Sequence, residues 1–129
     1  MNSSQRKKHD KWLFVCSTKQ LKEKQFIVLD LLYSGNRQSG IIFKFNGKIF
    51  SYLNQCVHMP RRLDCESHTV FDDENNFLRC SMHGIVYAPE TGISLSTMCN
   101  GRALQALQIK IIGDDIVISD KRISALTSQ

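Results

Sequence analysis

Two short segments of this sequence carry a thiol and an imidazole at metal-ligand spacing: Cys56-Val57-His58, and Cys80-Ser81-Met82-His83 followed at once by Gly84. Together they offer two thiolates and two neutral imidazoles. Structural zinc takes such a set at one tetrahedral ion. A [2Fe–2S] cluster takes it differently, with two cysteines on one iron and two histidines on the other. Imidazole in place of thiolate leaves the cluster less negative, so it accepts an electron more readily than an all-cysteine cluster. The ring nitrogen not bound to iron can also lose a proton, which couples potential to pH. A third pair, Cys65-Glu66-Ser67-His68, has the same Cys-x-x-His spacing and could replace either outer pair at a zinc ion. However, Thr69-Val70-Phe71 after it reads on as a strand. Gly84 instead lets the backbone swing tightly about a metal, and Met59-Pro60 stiffens the first loop. The outer pairs on an iron–sulfur cluster are therefore the preferred reading, with zinc the alternative. His68 is then a surface residue, Cys65 a packed or idle thiol, and His9 a solvent-exposed residue of the leader.

The elements around these pairs read as strands and turns. Ser17-Thr18-Lys19-Gln20 fits a capping box, which predicts a helical turn or two over residues 18–24. Residues 26–33 are β-rich and end at Ser34-Gly35-Asn36. Residues 41–45 lead into Asn46-Gly47, a strong hairpin signal, and residues 48–53 return. The first ligand pair thus follows directly on a strand end. Residues 69–71 and 77–79 flank an acidic turn, so the second pair follows a short strand too. Tyr87-Ala88-Pro89-Glu90-Thr91-Gly92 is a Pro/Gly turn. Met98-Cys99-Asn100-Gly101-Arg102 reads as a structural turn into a last hairpin, residues 107–112 and 116–119, joined at Gly113-Asp114-Asp115. Many short strands with almost no helix indicate an all-β antiparallel sandwich or small barrel. The expected organisation is a basic leader over 1–13, one domain over 14–120 and a polar tail over 121–129.

Composition excludes several classes. At 129 residues there is room for one modest core, and 42% apolar residues are enough to fill it. No run approaches the roughly 18 apolar residues that a membrane helix needs, and the apolar stretch 12–16 is too short for a signal-peptide core. The net charge of +5 resides in residues 1–24, with seven Lys/Arg against Asp10 and Glu23. The remainder is neutral, so no basic face for nucleic acid is expected on the folded body. Five cysteines, an odd number, argue against a disulfide framework, and Cys16 and Cys99 are read as buried structural residues. A soluble, cytoplasmic protein that binds neither membrane nor nucleic acid is the expectation.

The segment from Asn54-Gln55-Cys56-Val57-His58-Met59-Pro60 through Cys80-Ser81-Met82-His83-Gly84-Ile85-Val86-Tyr87 to Gly92 resembles the two cluster loops of Rieske-type ferredoxins. With the strands before it and the closing hairpin, the resemblance covers roughly residues 14–119. It implies a three-sheet antiparallel fold whose two-loop cluster-binding subdomain lies at one tip, with the histidines nearest solvent. It also implies one [2Fe–2S] cluster per chain held by Cys56, His58, Cys80 and His83. The implied role is a non-catalytic electron carrier between a reductase and a terminal oxygenase or similar enzyme. A small subunit of a larger reductase or oxygenase complex is the alternative role. Val57 stands where family members usually carry Pro. High-potential members have a further Cys in each loop, forming a disulfide across the cluster; Arg61 and Met82 occupy those positions here. They also have a Ser that donates to a bridging sulfide, where this chain has Ile85. Tyr87 matches an aromatic position whose hydroxyl can reach a cysteine sulfur. Fewer hydrogen bonds to sulfur imply a potential toward the low end of the Rieske range, roughly −150 mV. Arg61-Arg62 beside the first loop is either a patch that steers an acidic partner or a solvated turn.

Overall fold

The computed structural model describes residues 12–57, 61–81, 84–97, 99 and 101–125. Along them run β1 (Leu13–Ser17), a 3-10 turn (Thr18–Gln20), β2 (Phe26–Tyr33), β3 (Asn36–Phe45) and β4 (Lys48–Leu53). There follow β5 (Leu78–Arg79), β6 (Val86–Tyr87), β7 (Ile109–Ile112), β8 (Asp115–Ile118) and β9 (Ile123–Ala125). They form three sheets, ordered β1-β8-β7, β4-β3-β2-β9 and β5-β6, and each strand pair is antiparallel. This is the all-β architecture expected from the turn-rich sequence.

Local chemistry explains the hairpins. Ser34-Gly35 and Asn46-Gly47 both place their two central residues at positive φ (49° and 84°; 53° and 76°). Such two-residue turns match the right-handed twist of the strands they join. Glu23 secures the second of them, accepting from the Asn46 and Gly47 N–H groups at 2.6 and 3.0 Å. The capping box at Ser17 is also present: Ser17 Oγ accepts from Lys19 N–H at 3.1 Å, and Gln20 Oε1 accepts from Ser17 N–H at 2.9 Å. The turn stops at Gln20, short of the expected residue 24. Leu21, 2% exposed, turns inward to the core, and Lys24 takes a left-handed φ of 65°.

Burial makes β3 the spine of the fold. Residues 39–43 are all buried, the continuous run that a strand covered on both faces requires. Ile41 and Phe43 face one apolar core together with Tyr52, Leu63, Val70, Leu78, Ile85, Tyr87, Cys56 and Cys80. Ile42 faces a second core with Cys16, Leu21, Leu31, Ile116 and Ile118. Gly40 lies between them in tight quarters: a Cβ there would sit 3.1 Å from both Leu31 and Leu107 side-chain carbons, which would have to give by a few tenths of an ångström.

Other boundaries differ from the sequence reading too, and the strand expected over 69–71 is reduced to one bridge, Phe71 with Leu78. β3 begins at Asn36 because the Ser34-Gly35 turn pairs Tyr33 with Asn36 directly. In the last hairpin Asp115 belongs to β8, opposite Ile112, and Leu107 lies outside β7 because its N–H donates to Ser51 O of β4 at 3.0 Å. The turn at Cys99 and Gly101 does not lead straight into that hairpin. It folds the chain back so that Ile93 bridges Ala103 and Ser94 N–H donates to Arg102 O at 2.7 Å. Finally, the segment read as a polar tail contributes β9, which pairs with the end of β2. Asp120, 6% exposed, anchors it by accepting from Gln108 N–H (3.1 Å), Arg122 N–H (3.0 Å) and the Arg122 guanidinium (2.6 and 2.8 Å).

Candidate metal centre

Cys56 and Cys80 arrive at the same place from two loops built alike. Cys56 follows β4, and its N–H donates to Arg61 O at 2.8 Å; Cys80 follows β5, and its N–H donates to Ile85 O at 2.9 Å. Each loop is thus closed by one hydrogen bond from the cysteine to the residue five further on. The second is tightened by Gly84, whose N–H donates to Cys80 O at 2.7 Å with φ at 72°, the swing expected of a glycine there. Both cysteines are buried, at 1% and 0% exposure, in the core beneath β3. His58 and His83, the imidazoles of the expected ligand set, lie outside the described residues, as do Met59, Pro60 and Met82.

Tyr87 on β6 marks the sulfur environment. Its ring is fully buried, and its Oη lies 3.2 Å from Cys56 Sγ while accepting from Val57 N–H at 3.2 Å. A thiolate has no proton to give, so toward a deprotonated Cys56 sulfur the Tyr87 hydroxyl is the donor. Burial first, and the neighbouring Cys56 next, push the Tyr87 hydroxyl above its ordinary pKa, so it stays a donor. Ile85, 2% exposed, presents only hydrocarbon where a hydroxyl would add another donor. Val57 packs against the same core, so the departure from Pro leaves the loop seated.

The other candidates separate cleanly. Cys65 and His68 are exposed, so His68 is a surface residue as expected and Cys65 is not packed. The nearest polar contact of Cys65 Sγ is Ser81 Oγ at 3.9 Å. Among the described residues no three of His, Cys, Asp and Glu come together, so this pair does not join Cys56 or Cys80 in an alternative ligand set. Cys16 is buried in the second core, whereas Cys99 is only half-buried, at a left-handed φ of 67°. Arg61 is exposed, but Arg62 is engaged: Nε and Nη2 donate to Asp64 at 3.2 and 3.4 Å, and Nη1 lies 3.9 Å from Asp30. The two arginines are therefore not equivalent: Arg62 is held by Asp64 and Asp30, whereas Arg61 is exposed.

The sequence reading passed over Asn54, which is 1% exposed at the stem of the first loop. Its Oδ1 accepts from Leu63 N–H at 2.8 Å, and its Nδ2 donates to Ser39 Oγ and Asp64 Oδ1, both at 3.1 Å. Burial would raise the Asp64 carboxyl, but the hydrogen bonds from Arg62 and Asn54 outweigh it and hold its pKa below the ordinary value. An Asn at a strand end ordinarily reads as a turn residue, so nothing local announced a buried one.

The donor set fits a cluster. Two buried thiols on matched loops, one with a phenol aimed at its sulfur, suit a redox group whose sulfur charge must be stabilised. When bound, such a group supplies reversible uptake of one electron.

Comparison with known proteins agrees with that fit. The ferredoxin of carbazole 1,9a-dioxygenase from Nocardioides aromaticivorans IC177 superimposes with a TM-score of 0.64 at 20% identity, covering 85% of this chain and 98% of that one. A chain from a complex of reduced oxygenase and oxidized ferredoxin in carbazole 1,9a-dioxygenase gives 0.65 at 18% identity, covering 88% and 97%. A longer chain from the reduced oxygenase–ferredoxin complex of that system gives 0.65 at 17% identity, with 84% of this chain and 28% of that one covered. These likenesses show a shared fold. No curated protein sequence matches closely enough to count as a relative. The family model for the Rieske [2Fe-2S] domain matches residues 11–108, and the chain belongs to that family.

Proposed function

We propose that this protein is a ferredoxin-like one-electron carrier, taking an electron from a reductase and passing it to an oxygenase or similar enzyme. Cys56 and Cys80 are its thiolate ligands, and His58 and His83 its imidazole ligands. The observation that carries this reading is the matched pair of loops, each presenting a buried cysteine, with the Tyr87 hydroxyl 3.2 Å from one sulfur. The carrier role draws support from the near-complete overlap with the carbazole-dioxygenase ferredoxin. Residues 14–120 form the cluster domain in this reading. Cys16, Cys65 and Cys99 stand as thiols, which favours a reducing compartment such as the cytoplasm.

The deciding experiment is spectroscopy of the purified chain. A coloured protein with iron bound, and a reduced-state EPR signal that disappears in Cys56→Ser, Cys80→Ser, His58→Ala and His83→Ala, is expected. A colourless, zinc-loaded, EPR-silent protein overturns it. The potential is expected near the low end of the Rieske range, roughly −150 mV; a value above about +200 mV sinks that part. The longer chain that shares this fold keeps a second reading in play, a subunit fixed in a larger complex. Stoichiometric co-purification with a catalytic partner would favour it.

A further inference from the structure

The two cysteine loops leave the sheets at different places, so something must fix one relative to the other. Arg61 and Met82 occupy the positions where high-potential family members place a bracing disulfide. Residues 61–66 instead form a strap between the loops. On one edge, the stem of the first loop holds it: Arg61 O accepts from Cys56 N–H, and Leu63 N–H donates to Asn54 Oδ1, both at 2.8 Å. On the other edge, the second loop holds it: Ser81 N–H donates to Leu63 O and Glu66 N–H donates to Ser81 Oγ, again both at 2.8 Å. Leu63 is thus gripped on its N–H by the residue two before Cys56 and on its C=O by the residue after Cys80. Its side chain, 0% exposed, is buried in the same core as both sulfurs. Asn54 is itself tied to β3 through Ser39, whose O accepts from Asn54 N–H at 2.8 Å and whose Oγ accepts from Nδ2 at 3.1 Å. Asp64 and Arg62 extend the tie toward Asp30 of β2.

We propose that Asn54 is a positioning residue for the metal centre: the path Asn54–Leu63–Ser81 sets the separation of the two cysteine loops by hydrogen bonds. It does the mechanical work of a disulfide with groups that no reductant can open. The inference rests on the reading of Cys56 and Cys80 as ligands. The choice of Asn follows from its chemistry: the site needs an acceptor for Leu63 N–H together with donors for Ser39 and Asp64, and an uncharged amide supplies both. A carboxylate would face Asp64, and an apolar residue would leave the buried Leu63 N–H without a partner.

The test compares the iron-loaded full chain with Asn54→Ala, Ser81→Ala and, as a control for general destabilisation, Asp120→Ala at the β9 anchor. Iron release to a chelator is followed at a temperature where each variant keeps its far-UV CD spectrum. Hydrogen exchange of peptides spanning residues 61–69 is measured alongside, together with the potential and the reduced-state EPR g values. Asn54→Ala is expected to release iron about tenfold faster, the lower end for loss of a group that supports metal ligands. It should also open the strap to exchange and shift the g values. Ser81→Ala, which removes only the partly exposed Oγ contact, should give a smaller acceleration in the same direction. Asp120→Ala should lower the melting temperature and leave g values and strap exchange as in the wild type. Asn54→Ala matching Asp120→Ala in all three readouts overturns the proposal. If Asn54→Ala does not fold, Asn54→Asp takes its place, which keeps an acceptor for Leu63 N–H but cannot donate to Ser39 and Asp64; wild-type release and exchange in that variant overturn the proposal. A wild-type chain that holds no iron overturns the ligand reading and this one with it. Failure of the variants alone overturns only the brace.

Discussion

Tyr87 shows how one residue can set a redox property. Its hydroxyl reaches Cys56 Sγ at 3.2 Å inside an apolar core, where a hydrogen bond to a charged sulfur is worth more than in water. With a cluster held by Cys56, an added electron would raise the charge on its sulfur, and the Tyr87 donor would then favour the reduced form. Tyr87→Phe is therefore expected to lower the potential by about 60 mV, one tenfold factor for a single electron, with iron content unchanged; redox titration checks it. Arg61 and Arg62 make a second pair of single-residue tests. Arg61→Glu should slow reduction by the partner at low ionic strength, with the difference fading as salt rises. Arg62→Glu breaks the ties to Asp64 and Asp30 and should cost stability as well, read from urea midpoints. At this scale the sequence spoke through its chemistry: the Cys-x-His and Cys-x-x-His-Gly spacings were visible because their meaning is local, whereas Tyr87, 31 residues from Cys56, was marked only by the family resemblance. Asn54 was silent because its partners are Ser39, Leu63 and Asp64, and only the folded chain brings those to it.

Elements were legible to the degree that their own turns specified them. Asn46-Gly47 marked its hairpin because two consecutive left-handed residues are rare without Asn or Gly. β9 was not visible, since Ile123–Ala125 is short and acquires its strand character from the edge of β2. Its anchor makes a pH prediction. The Arg122 side chain, with smaller help from the Gln108 and Arg122 N–H groups against the cost of burial, holds the Asp120 carboxyl well below the ordinary range. A carboxyl depressed on folding stabilises the native state above its unfolded pKa of about 3.9, and that contribution is lost as pH falls below it. The wild type should therefore exceed Asp120→Asn in urea midpoint at pH 7, and the gap should narrow steadily below about pH 4. Gly92 is the corresponding test in a turn. It adopts φ 76°, and a Cβ there would meet the Tyr52 ring at 2.8 Å, so Gly92→Ala should lose more than the roughly 1–2 kcal/mol of the backbone penalty alone, by urea denaturation.

The whole molecule carries two cores joined through β3, and only the first of them contains Cys56 and Cys80. Removing iron should therefore leave the strands around Ile42, Leu31, Ile116 and Ile118 intact while loosening residues 54–87. Far-UV CD should change little on chelation, whereas hydrogen exchange should rise in the loop peptides and not in β2 and β3; collapse of the CD spectrum would contradict this division. The all-β antiparallel character followed from the spacing of strands and turns, and the three sheets only from the family resemblance. Which face of β3 served which core did not, because that is decided by strands that meet it from both ends of the chain.

One of those meetings has a bearing on how the protein is made. β1 pairs with β8, Leu13 opposite Ile118, whereas β2, β3 and β4 pair as successive hairpins. During synthesis the hairpins and both cysteine loops emerge before the strand that closes the second core. β1 must wait, its edge unsatisfied, until nearly the whole domain has been made, and such long-range pairing is slow. Cys56 and Cys80, the ligands of the proposed reading, thus leave the ribosome on a scaffold still open on one side. In that reading metal loading and final closure compete in time, and a cell that supplies clusters late must keep those thiols reduced in the interval.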